Sequence, residues 1–431
     1  MSIRHGAERM QKDAASDHAG AHHSPIEEHM FEHVDAYPGD PILSLNEDFK
    51  NDPRAEKINL SIGVYLDEQG RLPVMRAVRE AESALLATIC PRPYLPMEGS
   101  PDYRKAVQPL LFGADREAVA AKRIATVQTL GGSGALKVGA DFLQAYFAGR
   151  QVWISDPSWD NHRAIFAGAG FDVQSYPYYS PETKQVDFAR MLAALESAPQ
   201  GSIVLLHACC HNPTGADLNQ SQWRALVDVV RSRALLPFFD IAYQGFGDGL
   251  EEDAFAMRHF ADEGIHFLVA SSFSKNFSLY GERCGSLSIV CADAKEADTV
   301  LGQLKAAVRR NYSSPPAHGA RIVSAVLGSA ELFAAWKEEL TEMRVRIKAM
   351  RKGLHAALVS RMPGGNFDYV LQQHGMFSYT GLNPEQVRTL REEFGVYLVG
   401  SGRLCMAALT PDTIAPAADA IARVLGQEMN R

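Results

Sequence analysis

Short apolar runs alternate with amphipathic stretches through the middle of the chain. The helix-like stretches include Gly134–Phe147 and Gln222–Arg233. Strands that alternate with helices indicate βαβ units and a mostly parallel sheet, in which ligands bind at the carboxyl ends of the strands. The pattern therefore predicts an α/β fold. The predicted strands are Ile124–Gln128, Val152–Ser155, Ile203–His207, Leu235–Ile241, Phe267–Ser271 and Leu287–Cys291.

A long amphipathic helix follows this alternating region and ends before Pro363. Its apolar residues are spaced by three or four, which is typical of a helix face that packs on a core. A shorter α+β section continues from there to Arg431. The residues of the apolar stripe are Trp336, Leu340, Met343, Ile347, Met350, Leu354 and Leu358.

The first 29 residues differ from the rest because they contain almost no large apolar side chains. This composition predicts a disordered tail. A metal site is the alternative, although the histidines are irregularly spaced and no cysteine accompanies them. These histidines are His5, His18, His22, His23 and His29.

Composition excludes several classes of protein. The 431 residues are 46% hydrophobic and 22% charged with a net charge of −8, which is typical of a globular protein without general affinity for nucleic acid. No apolar run approaches the length of a membrane span, and no apolar signal segment is visible, so we expect a cytoplasmic location. Scattered cysteines without a CxxC pair indicate neither a disulfide framework nor a zinc site. They are Cys90, Cys209, Cys210, Cys284, Cys291 and Cys405.

Lys275 lies in the run Ser271-Ser-Phe-Ser-Lys-Asn-Phe-Ser-Leu-Tyr-Gly-Glu-Arg283, where hydroxyls surround it and an arginine follows eight positions later. An amine can form a Schiff base with an aldehyde, while serines and an arginine can hold a phosphate. Pyridoxal 5'-phosphate (PLP) carries both groups. A solvated surface pair of Lys275 and Arg283 is the alternative interpretation.

Polar residues follow two further predicted strands. Asp240, behind two phenylalanines, needs a cationic partner such as a pyridinium nitrogen, although aspartate is also common as a helix N-cap. Asn212 lies in an Asn-Pro-Thr-Gly sequence that is typical of a turn. Its amide and the Tyr243 hydroxyl could both bond the phenolic oxygen of the cofactor, favouring its ionised form.

The run Thr129-Leu-Gly-Gly-Ser-Gly follows a strand and opens a helix, so its N–H groups could hold an anion, with Ser133 adding a hydroxyl. It matches neither a dinucleotide fingerprint nor a Walker A loop. Trp159 could stack on a ring or could be an interface or core residue. Arg403 could pair with a substrate carboxylate or could lie on the surface.

Together these motifs resemble the PLP-dependent aminotransferases of fold type I, subfamily Iα, which includes the aspartate and aromatic amino-acid aminotransferases. The resemblance covers residues 30–431. It rests on Asn59-Leu-Ser-Ile-Gly63, Tyr94-Leu-Pro, Gly131-Gly-Ser-Gly-Ala-Leu, Pro157-Ser-Trp, His211-Asn-Pro-Thr-Gly, Asp240-Ile-Ala-Tyr-Gln-Gly, Ser272-Phe-Ser-Lys, Gly281-Glu-Arg, Tyr312-Ser-Ser-Pro-Pro and Ser401-Gly-Arg.

The resemblance implies a role for each cofactor-binding residue. Lys275 carries the cofactor covalently and then acts as the base. Asp240 pairs with the pyridine nitrogen and is oriented by His162, while Trp159 stacks on the ring. Asn212 and Tyr243 bond the phenolic oxygen. The phosphate is held by Gly132, Ser133, Ser272 and Arg283, together with Tyr94 from the neighbouring subunit.

The resemblance also implies a substrate site shared between two subunits. Arg403 binds the α-carboxylate, with Gly63, Trp159 and Asn212 beside the substrate, and Arg309 of the other subunit meets a side-chain carboxylate. The enzyme is therefore expected to be a homodimer. The implied domains are a small one (residues 40–73 and 343–431) and a large one (74–342), with residues 30–39 as an arm on the partner.

Within the family, the chain looks most like the bacterial aromatic amino-acid (tyrosine) aminotransferases. Ser133 and Ser314 stand where the aspartate-specific branch more often has threonine and asparagine, and smaller side chains leave room for an aromatic ring. The expected reaction moves the amino group of phenylalanine, tyrosine or aspartate to 2-oxoglutarate. An aspartate aminotransferase of broad specificity is the alternative, and a non-enzymatic PLP-binding regulatory protein is a more distant one.

Overall fold

The computed structural model describes residues 31–37, 39, 43–87 and 91–429. The predicted tail and its histidines therefore lie outside the described residues, as does Cys90. The chain divides into two units, residues 1–40 and 41–431. In the first unit, residues 31–37 are exposed and begin with a turn in which Val34 N donates to Phe31 O at 3.0 Å.

The second unit combines helices and strands in an order that alternates through its middle. The strands are β1 Ile58–Asn59, β2 Ile124–Leu130, β3 Val152–Asp156, β4 Val173–Pro177, β5 Tyr179–Ser180, β6 Gln185–Val186, β7 Ile203–His207, β8 Leu236–Ile241, β9 Phe267–Ser272, β10 Cys284–Val290, β11 Phe377–Tyr379, β12 Val396–Tyr397 and β13 Arg403–Cys405. The helices are α1 Leu43–Asn51, α2 Arg76–Leu86, α3 Pro101–Phe112, α4 Glu117–Ala120, α5 Gly131–Tyr146, α6 Asp160–Gly168, α7 Phe188–Ser197, α8 Gln220–Ser232, α9 Leu250–Asp253, α10 Phe255–Asp262, α11 Ala294–Asn311, α12 His318–Gly328, α13 Ala330–Arg361, α14 Tyr369–Gln372, α15 Pro384–Phe394 and α16 Pro411–Met429.

Seven of the described strands form one sheet in the order β2-β10-β9-β8-β7-β3-β4. Strand β10 runs antiparallel to both of its neighbours, and the other neighbouring pairs are parallel. The predicted α/β fold with a mostly parallel sheet is therefore confirmed. The reversed strand brings its amino end to the edge where the other strands have their carboxyl ends.

The prediction placed the start of the reversed strand too late, at Leu287, whereas β10 begins at Cys284. The polar residues Ser286 and Ser288 obscured its start. Both are buried, and their hydroxyls pair with those of Ser271 at 2.7 Å and Thr126 at 2.9 Å. A buried hydroxyl is tolerated in a strand when a neighbouring strand supplies its hydrogen-bond partner.

The sheet separates two apolar cores, and alternate residues of its strands point into opposite ones. Phe239 packs with Trp223 and Phe260 on one side, while Phe238 packs with Phe166 and other residues on the opposite side. Because both faces are covered by helices, the central strands are apolar at nearly every position, which explains their continuous runs.

The helices that follow the strands begin slightly earlier than predicted. Helix α5 starts at Gly131, since the chain turns there with a positive φ of 67° directly after β2. Helix α8 starts at Gln220, where Asn219 and Gln222 form a capping box. The predicted long helix is confirmed as α13, whose Trp336 is fully buried and donates to Asn276 O at 2.7 Å.

Two small pairings connect distant parts of the chain beside the main sheet. Strand β1 pairs with β12, and β11 pairs with β13. Cys405 N also donates to Leu60 O at 2.9 Å. These contacts bring Gly63 and Arg403 to the same region. The division of residues 41–431 into a large and a small domain stays a prediction.

No helix within the described residues combines the length and the apolar character that crossing a membrane requires.

The close packing of α5 on the sheet makes Gly139 a sensitive position. A Cβ there would lie 2.5 Å from Phe238 Cζ and 3.4 Å from Leu287 Cδ1, so Gly139→Ala should lower the free energy of unfolding by about 1–3 kcal/mol. Gly302→Ala, in open space on α11, is the matched control and should raise it by up to ~1 kcal/mol. Thermal unfolding checks both, and shifts of the same sign would contradict this account.

Candidate active site

The ends of several strands of the main sheet meet around one cavity of about 250 Å³. Strands β2, β3, β7, β8 and β9 contribute residues at or just beyond their carboxyl ends, and reversed β10 contributes the residue that precedes its amino end. The lining residues are Gly63, Gly132, Ser133, Leu136, Trp159, His207, Asn212, Asp240, Ala242, Tyr243, Ser272, Ser274, Lys275, Arg283, Phe377 and Arg403.

Asp240 is a buried carboxylate in the cavity wall. It lies within β8, so the interpretation of this residue as a helix N-cap is wrong. Burial alone would raise the pKa of Asp240, but the hydrogen bond and charge of His162 hold that pKa below its usual value. His162 Nε2 lies 2.9 Å from Asp240 Oδ2, and its Nδ1 lies 2.9 Å from Ser158 Oγ. Because an ionised carboxylate only accepts, Nε2 donates to it.

Lys275 extends into the same cavity from the loop after β9. Burial lowers the pKa of its amine to about 8, against the opposing effect of Asp240. Its Nζ lies 4.9 Å from the centroid of the Tyr243 ring. The next residue anchors this loop, since Asn276 Nδ2 donates to Gln244 O at 3.3 Å while its carbonyl accepts from Trp336. More of this amine than of an ordinary lysine is thus neutral and nucleophilic near neutral pH.

One end of the cavity has the composition of a phosphate site. Arg283 Nη1 donates to Ser274 Oγ at 3.2 Å, and Ser274 also interacts with Ser272. The glycines leave the space: a Cβ at Gly131 would lie 2.5 Å from Arg283 Nη2, and one at Gly132 would lie 3.3 Å from the Ser272 Cβ. The start of α5, the guanidinium and the hydroxyls therefore surround a position suited to an anion.

Two polar groups face the cavity beside Asp240. Asn212 is 6% exposed, and its Oδ1 accepts from Arg403 Nη1 at 3.1 Å, which leaves both amide N–H groups for another acceptor. Burial raises the pKa of Tyr243, so its hydroxyl stays protonated and can donate. Asp217 holds the loop that carries Asn212 by accepting from Cys210 N at 2.7 Å and from His211 N at 2.8 Å.

Arg403 is a buried cation, so the interpretation of it as a surface residue is wrong. Its Nη2 donates to Ser61 O at 2.8 Å, and among the described residues it forms no ion pair with a carboxylate. The Phe377 ring lies 4.3 Å from its guanidinium, and a Cβ at Gly63 would lie 3.0 Å from Phe377 Cζ. A buried guanidinium that is bonded to neutral groups is well suited to bind a carboxylate.

Two of the residues assigned to the site lie elsewhere. Tyr94 is 96% exposed, and with Ser314 it lines a separate groove of about 990 Å³. Arg309 is exposed near the end of α11, where its guanidinium donates to Ser313. Neither lines the cavity of its own chain, which is the arrangement that residues acting in a neighbouring subunit require.

The structure adds residues that the sequence interpretation gave no role. Ser274 stands inside the Ser272-Phe-Ser-Lys motif, but no pattern distinguished its orientation from that of its neighbours, and Phe377 lies outside the motifs. His207 ends β7, and its strand position was the only available signal.

Trp159 stands directly before α6 and lines the cavity, with its ring centroid 5.2 Å from that of His162.

The cavity fits PLP by its unsatisfied groups as well as its shape. Two polar atoms of the cavity wall, His207 Nε2 and Arg403 Nε, are buried without a hydrogen-bond partner. A polar ligand could form hydrogen bonds with them. Lys275, Arg283 and Arg403 face a single carboxylate, Asp240, and this excess of positive charge favours a ligand with anionic groups.

Comparison with known proteins agrees with this chemistry. Residues 55–421 match the family model described as "Aminotransferase class I and II". The chain belongs to this aminotransferase family. Its substrates are therefore amino acids and 2-oxo acids.

Individual relatives match this aminotransferase over nearly their whole length. An aromatic-amino-acid aminotransferase of Escherichia coli is 58% identical over 92% of the chain and all of that protein. An aspartate aminotransferase of Pseudomonas aeruginosa is 52% identical over 92% of the chain and all of that protein. The crystal structure of an aromatic-amino-acid aminotransferase from Burkholderia pseudomallei, covalently bound to pyridoxal phosphate, has a TM-score of 0.90 at 54% identity and covers 92% of this chain and 99% of its own.

The lowered pKa of Lys275 predicts the pH dependence of cofactor uptake. Since only the neutral amine attacks an aldehyde, the rate at which cofactor-free protein takes up PLP should rise with pH, with a midpoint at about 8. Asp240→Asn removes a charge that raises this pKa, so its midpoint should be lower. Stopped-flow absorbance measures both, and Lys275→Ala should lack the phase. A wild-type midpoint near 10.5, the ordinary pKa of a lysine amine, or an upward shift in Asp240→Asn would contradict the assignment.

Proposed function

We propose that this aminotransferase transfers the amino group of phenylalanine and tyrosine, and also of aspartate, to 2-oxoglutarate. The main support is that the buried Arg403 guanidinium lies beside the aromatic ring of Phe377, so that a carboxylate and an apolar side chain can bind together. The names of the relatives support the same range of substrates, because aromatic and aspartate aminotransferases both match.

PLP is the cofactor of this enzyme, and the cavity residues suit its parts. Lys275 is the residue to which it would attach, and Gly132, Ser133, Ser272 and Arg283 would hold its phosphate. Asp240, kept ionised by His162, would face the pyridine nitrogen, with Trp159 against the ring. Asn212 and Tyr243 would donate to the phenolic oxygen. When bound, PLP supplies an aldehyde that accepts the amino group and a ring that withdraws electrons from the substrate Cα.

The side chains of the chain itself then bind the substrate and move its proton. Arg403 binds the α-carboxylate and orients the Cα–H bond. Lys275 Nζ would remove the proton from the substrate Cα as a general base and deliver it as a general acid to the carbon of the former aldehyde group. Its pKa of about 8 suits both directions, since the amine and the ammonium are both populated near neutral pH. The first 2-oxo acid leaves before 2-oxoglutarate enters, which makes the reaction ping-pong.

A homodimer would complete the site. Tyr94 and Arg309 are exposed and lie outside the cavity of their own chain, so the proposal places them in the cavity of a partner. There Tyr94 would reach the phosphate and Arg309 a side-chain carboxylate. The arm at residues 30–39 and the two domains belong to the same proposal. The free, buried thiols among the described residues support a cytoplasmic location.

Substrate preference is tested by kcat/KM for phenylalanine, tyrosine and aspartate, each with 2-oxoglutarate, on PLP-loaded protein. The aromatic values should equal or exceed the aspartate value, and Lys275→Ala should lose several orders of magnitude with every substrate. A preference for aspartate of about a hundredfold, or ~2.7 kcal/mol in the transition state, would identify an aspartate aminotransferase. Binding of PLP without any transamination would favour the regulatory alternative.

Arg309 should distinguish the two classes of substrate. We expect Arg309→Ala to slow the half-reaction with aspartate by roughly a hundredfold and that with phenylalanine by less than about threefold, because only aspartate offers a second carboxylate. Single-turnover absorbance with each amino acid alone measures this without the acceptor. Arg310→Ala, at the adjacent exposed position, is the matched control. Equal losses for the two substrates would rule out this role.

A further inference from the structure

Arg351 is a second buried arginine near the cavity, and none of the motifs includes it. It lies on α13 and is 3% exposed. Within the described part of the chain it forms no ion pair, and burial lowers the pKa of its guanidinium to about 10, so it remains charged at neutral pH. A buried cation without an acidic partner is costly unless its donors are satisfied.

The hydrogen bonds of the two Arg351 Nη groups all go to one short segment, while Nε has no partner among the described residues. The guanidinium donates to four backbone carbonyls and one hydroxyl between residues 370 and 378, and this places a fork of fixed geometry behind the segment. The acceptors are Val370 O at 2.9 Å, His374 O at 3.2 Å, Gly375 O at 2.9 Å, Ser378 Oγ at 3.3 Å and Phe377 O.

The same segment forms a wall of the cavity on its other side. The Phe377 ring lies 4.3 Å from the Arg403 guanidinium and 5.7 Å from the Tyr243 ring centroid. The segment also contacts the loop that carries Asn212, since His374 N donates to Gly215 O at 2.6 Å. A Cβ at Gly215 would lie only 2.6 Å from Phe377 O, so the two backbones have no room to shift independently.

We propose that Arg351 is a positioning residue for carboxylate recognition. By holding the carbonyls of residues 374, 375 and 377, it keeps the Phe377 ring over Arg403 and so excludes water from the guanidinium. A dry guanidinium binds a carboxylate more strongly than a hydrated one, because charges attract more strongly at low dielectric. This inference rests on the proposed role of Arg403 but not on the identity of the preferred amino acid.

Carboxylate binding tests the inference apart from catalysis. The probe is 3-phenylpropionate, which has a carboxylate but no amine. Isothermal titration calorimetry of the PLP-loaded protein should give a dissociation constant for this probe that is about tenfold larger in Arg351→Met than in wild type. Arg351→Lys, which keeps the charge but fewer donors, should be intermediate. The KM for amino acids should rise with the dissociation constant while kcat changes by less than about threefold. Arg361→Met, at the end of the same helix where the guanidinium pairs with Asp419, is the matched control and should change neither.

A second variant keeps the test decisive if Arg351→Met is too unstable to purify, since that change leaves several buried carbonyls without a donor. Phe377→Leu keeps the backbone and removes the ring, so it should weaken 3-phenylpropionate binding to a similar extent. Unchanged binding in a folded Arg351→Met or in Phe377→Leu would overturn the inference, as would a wild-type protein that does not bind the probe. Binding that follows this pattern without any transamination would instead overturn the proposed function alone.

Discussion

The excess of positive charge around the cavity is the constraint on which the site depends. Lys275, Arg283 and Arg403 are held there with only Asp240 as an opposing charge. The fold stabilises this arrangement with hydrogen bonds: a hydroxyl and a carbonyl bond Arg283, an amide and a carbonyl bond Arg403, and an imidazole bonds Asp240. The dipoles around the two arginines stabilise their charges without neutralising them. The remaining attraction is available to the anionic groups of cofactor and substrate.

The main sheet brings Lys275 and Arg283 together because one of its strands is reversed. In a fully parallel sheet, the residue before a strand lies at the edge opposite to the residue after it. Reversal of β10 places Arg283, which precedes that strand, beside Ser272 and Lys275, which follow β9. A connection of about ten residues is therefore enough to deliver the amine and the guanidinium to the same cavity. The left-handed backbone of Arg283, with φ of 51°, is part of this turn.

Much of this could be predicted from the sequence, and the failures have physical causes. Apolar runs revealed the strands because both faces of the sheet are buried, whereas the start of β10 was hidden by serines that pair with hydroxyls of neighbouring strands. The motif around Lys275 indicated the cofactor chemistry. Asp240 and Arg403 stayed ambiguous because burial comes from residues far away in the chain. Arg351 received no role, since an arginine within an amphipathic helix has no local feature that distinguishes a buried position from an exposed one.

The hydrogen bond between Asn212 and Arg403 joins residues that are 191 positions apart. During synthesis the chain emerges from its amino end, so the sheet and the lysine are available long before the arginine. A chain that stops before β13 can still contain every residue suited to the phosphate, yet it lacks the guanidinium that binds the substrate carboxylate. The site for the substrate carboxylate can therefore form only when synthesis of the chain is nearly complete.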